Sequence, residues 1–161
     1  MFAEEWPLMT FTLLSQLAIG SFIMLVLIRA HFAHSQDSNA GKELTGFGFK
    51  AVGPLTVLAL VFSLFHLGTP LGAYRSILNM GSSWLSREIL TAGGFLVLWF
   101  FTYRAYKKDQ AGNTIGVITS IVGLAAIFSM ASIYTNSIRP AWSNVNTYVA
   151  FFGATFALGS L

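Results

Sequence analysis

The chain has no cysteine. A thiolate nucleophile, a disulfide, a cysteine zinc site and a cysteine-ligated iron–sulfur cluster are therefore excluded from its 161 residues. Charge is scarce as well. Asp, Glu, Lys and Arg make up 9% of the chain, against about 25% in an average soluble domain, which is too little to cover a surface facing water. Nine Lys and Arg against six Asp and Glu leave a net charge of only +3, without the clustered basic residues that nucleic-acid binding needs. Histidine is rare too: His31, His34 and His66 are all there is. His31 and His34 stand three apart in a polar segment, but no third ligand follows at metal spacing, so they read as solvated histidines. Haem b held between helices usually takes two histidines well inside spans, and only His66 lies near one, so no haem is expected.

What the chain does have is apolar surface: 55% hydrophobic residues, with Phe as frequent as Gly at 15 each. Disorder, a fibrous repeat and a free cytosolic enzyme all fit poorly, and a polytopic helical membrane protein fits well. Crossing about 30 Å of hydrocarbon takes roughly 20 apolar residues in a helix. Such runs occur at about 7–28, 47–67, 87–106 and 114–138, and a fifth apolar run, 145–161, reaches the last residue with no polar flank. Two acids, Glu4 and Glu5, precede the first run where a signal peptide would carry basic residues. The turn-rich segment Arg29 to Glu43 reads as a loop. The expected fold is all-α: one integral membrane domain, a transmembrane bundle of four complete spans and a truncated fifth. The chain then reads as a fragment of something longer.

Basic residues orient it. Arg29, Lys42, Lys50, Arg104, Lys107 and Lys108 flank one side and Arg75, Arg87 and Arg139 the other. By the positive-inside rule the N-terminus is external, and so is the connection from Gly68 to Ser86. Small residues such as Gly20, Gly93, Gly94, Gly116 and Gly123 suit close helix packing.

Two residues could carry chemistry. His66 closes the second span on the external side, where an imidazole can take a proton near neutral pH. A histidine completing a helix end accounts for it equally well. Glu88 opens the third span on the same side and could accept protons at the membrane surface. It could also be ordinary helix chemistry, an acid in a first turn capped by Ser86. Arg75 and Arg87 could bind headgroups or dock a partner.

Three strings occur in order along the chain: Glu5-Trp6-Pro7-Leu8-Met9 entering the first span, His66-Leu67-Gly68-Thr69-Pro70 closing the second, and Leu85-Ser86-Arg87-Glu88-Ile89 opening the third. Together with Asn136-Ser137-Ile138 and Pro140-Ala141-Trp142 they resemble the membrane-anchor subunit of bacterial dimethyl sulfoxide reductase. The resemblance implies an eight-helix anchor in the bacterial inner membrane, of which this chain would be about the first half. Such an anchor oxidises menaquinol near the outer face and passes electrons to an iron–sulfur subunit, which feeds a molybdopterin catalytic subunit. It ties quinol oxidation to the positions of His66 and Glu88, with Gly68, Tyr74 and Ser76 as further quinol-site matches. The family arginine two residues after the proline falls on Gly72, and Arg75 is the nearby basic residue. An anchor of a polysulfide- or tetrathionate-type reductase remains open, because the acceptor is chosen by another subunit. A small transporter also remains open, although it predicts mid-span charge that these runs lack.

Overall fold

A computed structural model describes residues 2–33, 38–66, 81, 83–108, 113–136 and 142–161. These form five helices: α1 (Phe2–Ala33), α2 (Ser38–His66), α3 (Trp84–Lys107), α4 (Asn113–Thr135) and α5 (Val145–Gly159). The first four are long and apolar enough to cross a membrane, and α5 is shorter. The all-helical fold with four spans and a fifth, shorter helix is the one expected from the apolar runs.

The helices outrun those runs. α1 continues through Arg29 to Ala33 and α2 begins at Ser38, so most of the segment read as a loop is helical. The physical reason is that polar residues stop a span without stopping a helix: an end that projects into the headgroup layer keeps its backbone hydrogen bonds. α3 likewise starts at Trp84. Its N-cap is Ser83, which makes no side-chain capping bond, and there is no acid in its first turn. The capping role expected of Ser86 and the first-turn role expected of Glu88 are therefore both corrected: Ser86 and Glu88 are buried inside the helix.

Successive spans run antiparallel, which gives the bundle two ends. At the Trp6 end the start of α1 meets the end of α2 through Trp6 and Phe62, with ring centroids 5.7 Å apart. There too Trp84 of α3 meets Phe128 of α4 at 5.8 Å, and Phe128 stacks on Tyr148 of α5 at 5.2 Å. At the Arg29 end the side chain of α1's Arg29 reaches α2 and α3. In the middle, Phe22 of α1 packs edge-on against Phe49 of α2 and Phe95 of α3, at 5.7 and 5.4 Å.

Interiors of apolar helices favour hydroxyls that are satisfied internally. Thr45, Thr56, Thr102, Thr119 and Thr155 are buried, and each donates back to a carbonyl four residues earlier. Thr102 and Thr119 also meet each other at 2.9 Å, joining α3 to α4; each hydroxyl has one proton, so one of the two gives it to the other in place of its own helix carbonyl. Ser132 and Thr135 of α4 bond the Tyr148 hydroxyl of α5 at 3.0 and 3.2 Å. Large apolar side chains such as Phe47, Phe65 and Val149 point outward, where lipid replaces water.

Glycine sets two crossings. A Cβ on Gly20 of α1 would collide with the backbone of Thr155 and Gly159, so α5 rests backbone to backbone on α1 over a small-x-x-x-small pair. A Cβ on Gly53 of α2 would collide with the Trp99 ring, whose indole N–H donates to the Phe49 carbonyl at 2.9 Å. Gly116 and Gly123 are also close-packed, against Tyr106 and Val26 and against Ile19 and Phe95. Gly93 is not: a Cβ there would meet nothing within 4 Å among the described residues.

Candidate functional site

The two residues singled out for chemistry lie at the same end of the bundle. His66 is the last residue of α2, and Glu88 is in the opening turns of α3. Glu88 is 3% exposed. It shares a stripe at helical spacing with Ala92 and Phe95, also buried, so its carboxyl sits on the inward face of α3. Among the described residues the carboxylate has no ion pair or hydrogen bond; the bonds near it, from Thr91 Oγ1 at 2.6 and 3.1 Å, go to the backbone carbonyls of Arg87 and Glu88. A carboxyl group so enclosed in an apolar bundle is costly without a polar partner. Ser86, two positions before it, has a buried hydroxyl without a partner among the described residues.

Arg87 is held differently. Its guanidinium lies 4.3 Å over the Trp84 ring, and Nη2 donates to the Gly81 carbonyl at 2.9 Å. Both contacts are with its own chain just before or at the helix start, so Arg87 braces the entry to α3.

Beside Glu88 the walls of α2 and α3 part. A groove of about 210 Å³ opens between Val57, Leu60, Val61, Ser63 and Leu64 of α2 and Ile89 and Leu96 of α3. Its lining is apolar apart from Ser63. Ile89 follows Glu88 directly, and Leu64 lies two residues before His66, so the groove runs toward the end where both stand. These lining residues were not singled out from the sequence. Each is an ordinary apolar residue in a long apolar run, and only the divergence of two helices makes them a wall.

The side chain of His66, and Gly68, Gly72, Tyr74, Arg75 and Ser76 altogether, lie outside the described residues. Of the predicted positions the described residues therefore include the end of α2 at His66, Arg87 and Glu88, which lie at the same end of the bundle. His31 is exposed in the last turn of α1, its ring edge-on to Phe32 at 5.7 Å. His34 lies outside the described residues. Among the described residues no three His, Asp or Glu side chains gather as a metal site.

Four apolar spans, with an acid enclosed at one end of the bundle beside an apolar groove, define a polytopic membrane protein. All of residues 1–161 match the family model described as DMSO reductase anchor subunit (DmsC), and the chain belongs to that family. It is 31% identical over 153 residues to the YnfH subunit of an anaerobic dimethyl sulfoxide reductase of Escherichia coli K12, covering 92% of this sequence and 52% of that one. To the C subunit of the anaerobic dimethyl sulfoxide reductase of E. coli K12 it is 30% identical over 165 residues, covering 98% and 56%. To the C subunit of the Haemophilus influenzae enzyme of the same name it is 26% identical over 161 residues, again covering 98% and 56%. The chain thus spans about half the length of the curated relatives it matches. No solved structure matches it.

Proposed function

We propose that this chain supplies the quinol-oxidising part of a membrane anchor in a dimethyl sulfoxide reductase complex of the bacterial inner membrane. The observation that carries the proposal is Glu88: a carboxyl group 3% exposed, without a polar partner among the described residues, at the bundle end where α2 closes on His66. Membership of the anchor family supports the setting.

In this reading a menaquinol enters with its isoprenoid tail along the α2–α3 groove, whose apolar lining suits a hydrocarbon chain. His66 accepts a proton from one quinol hydroxyl, and Glu88 accepts or relays the second toward the outer face. Two protons leave outward and two electrons pass to an iron–sulfur subunit, which feeds a molybdopterin catalytic subunit. The relay lies outside this chain, which has no cysteine to hold a cluster. Gly68, Tyr74, Arg75, Ser76 and Arg87 contribute to quinol binding, with Arg75 as the basic contact in place of the family arginine absent at Gly72. Six basic residues on one side against three on the other support an external N-terminus, which sets His66 and Glu88 on the periplasmic face.

The test is the assembled complex carrying His66→Ala or Glu88→Gln. Quinol-linked reduction of the acceptor is expected to fall by about 10² or more, while reduction driven by an artificial donor to the catalytic subunit is unchanged. Normal quinol turnover in both variants would sink the assignment.

A further inference from the structure

The opposite end of the bundle carries a different device. Arg29 of α1, Lys42 and Lys50 of α2 and Lys107 of α3 line a single open cleft of about 330 Å³, together with Phe49 and Tyr103. Among the described residues no carboxylate lines it; Lys42 has a further contact of its own, so the charge facing the cleft rests on Arg29, Lys50 and Lys107. Of the acids in the flanking segments Glu43 is exposed, and Asp37 and Asp109 lie outside the described residues. Arg29 forms the back wall and is fixed there: it donates to Thr45 Oγ1 at 3.4 Å and to the Tyr106 carbonyl at 3.3 Å, and its guanidinium lies 4.6 Å from the centre of the Tyr106 ring. Thr45 is in turn anchored to the Gly41 carbonyl at 2.6 Å. At Gly46 an added Cβ would meet nothing within 4 Å, because that position opens onto the cleft.

We propose that this cleft binds the phosphate headgroup of an anionic phospholipid. Charge complementarity argues for an anion, since cations from three helices converge on one space. Position argues for a lipid as its source. Lys50 and Lys107 belong to helices that qualify as membrane spans, and the aromatic rings beside them are of the kind found at headgroup depth. A second recess, sharing Tyr103 and Lys107 with the first, continues past Arg104 to the exposed ring of Phe100. With Lys108 it adds cations beside the phosphate, and the rings of Tyr103 and Phe100 give the start of an acyl tail an apolar contact. The proposal is independent of the quinol reading, which concerns the other end.

The experiment uses the full chain purified in detergent, with phosphatidylglycerol or phosphatidylcholine added at equal concentration and bound lipid counted by native mass spectrometry. Phosphatidylglycerol is expected to be retained at least about tenfold more tightly. Two variants separate a site from a general surface potential. Lys50 and Lys107 are exposed, so K50Q/K107Q leaves the packing intact and is expected to lose most of that preference. Gly46→Leu removes no charge and suits a helix, but fills the cleft, and is expected to lose it as well. Helix content by circular dichroism verifies that each variant is folded. Equal retention of the two lipids, or a preference unchanged in both variants, overturns the proposal. So does binding of glycerol phosphate or inorganic phosphate as tight as that of the lipid, which would make the ligand a soluble anion. If the chain shows no lipid preference but K50Q/K107Q fails to assemble with a soluble subunit, the cleft is instead a protein-docking surface, and the lipid assignment falls.

Discussion

The two ends of this bundle treat charge in opposite ways. At the Trp6 end one carboxyl group, Glu88, is enclosed almost completely, and the nearby cation Arg87 is turned onto Trp84 and Gly81. At the Arg29 end several cations share an open cleft. The difference follows from solvation. A cation on a long stem reaches the headgroup layer and needs no burial. A carboxyl group on a shorter stem, placed on the inward face of a helix, cannot reach that layer and stays enclosed. One end encloses a carboxyl group within the bundle; the other presents cations in an open cleft.

Substitutions can break that contrast. The largest expected effect is at Glu88: Glu88→Leu in the assembled complex lowers quinol-linked turnover by about 10²–10⁴, whereas Lys50→Gln at the other end leaves it within about twofold, far below one general acid–base group's contribution. Steady-state rates with a soluble quinol analogue measure both. If the two variants behaved alike, the ends would not be functionally distinct.

Next in size is the crossing that belongs to neither end. Gly20→Leu pushes α5 off α1 and is expected to destabilise the bundle by about 1–3 kcal/mol, lowering the thermal midpoint and impairing both ends together. End-specific variants should leave that midpoint almost unchanged, which is how local and global damage are told apart. A smaller effect is expected in the groove: Val61 lines it and is exposed, so Val61→Trp narrows the space without disturbing the core. The quinol KM should rise about tenfold, or about 1.4 kcal/mol, with the artificial-donor rate unaffected. Smallest is the Thr102–Thr119 bond between α3 and α4. A double-mutant cycle with valine at each position should give a coupling of about 0.6 kcal/mol, typical of hydroxyl pairs between membrane helices.

Much of the fold was legible. Long apolar runs without mid-span charge announced four spans, and the apolar tail announced a fifth helix. Helix ends were less so, because Arg29, Lys42 and Ser86 look like boundaries yet lie within helices or at their margins. Glycine was read correctly at Gly20, Gly116 and Gly123 and wrongly at Gly93, since a small residue shows that close approach is allowed and not that a neighbour has arrived. The candidate site could be read only as residue types: His66 and Glu88 stood out because ionisable groups are rare in such a chain. The groove walls and the Arg29 cleft did not, because their residues look ordinary until helices bring them together.

The sequence by itself determined that this is a membrane bundle with paired candidates near one face. Spanning length and the cost of charge in hydrocarbon are properties of local composition, and composition can be read along a line. Only the tertiary structure decided that Glu88 faces inward, that α2 and α3 part into a groove, and that cations from three helices share one cleft. Helices apolar on nearly every side carry little record of which face meets which neighbour. That choice is made by packing, at glycine notches such as Gly20 and Gly53 and at the Phe22, Phe49 and Phe95 contact.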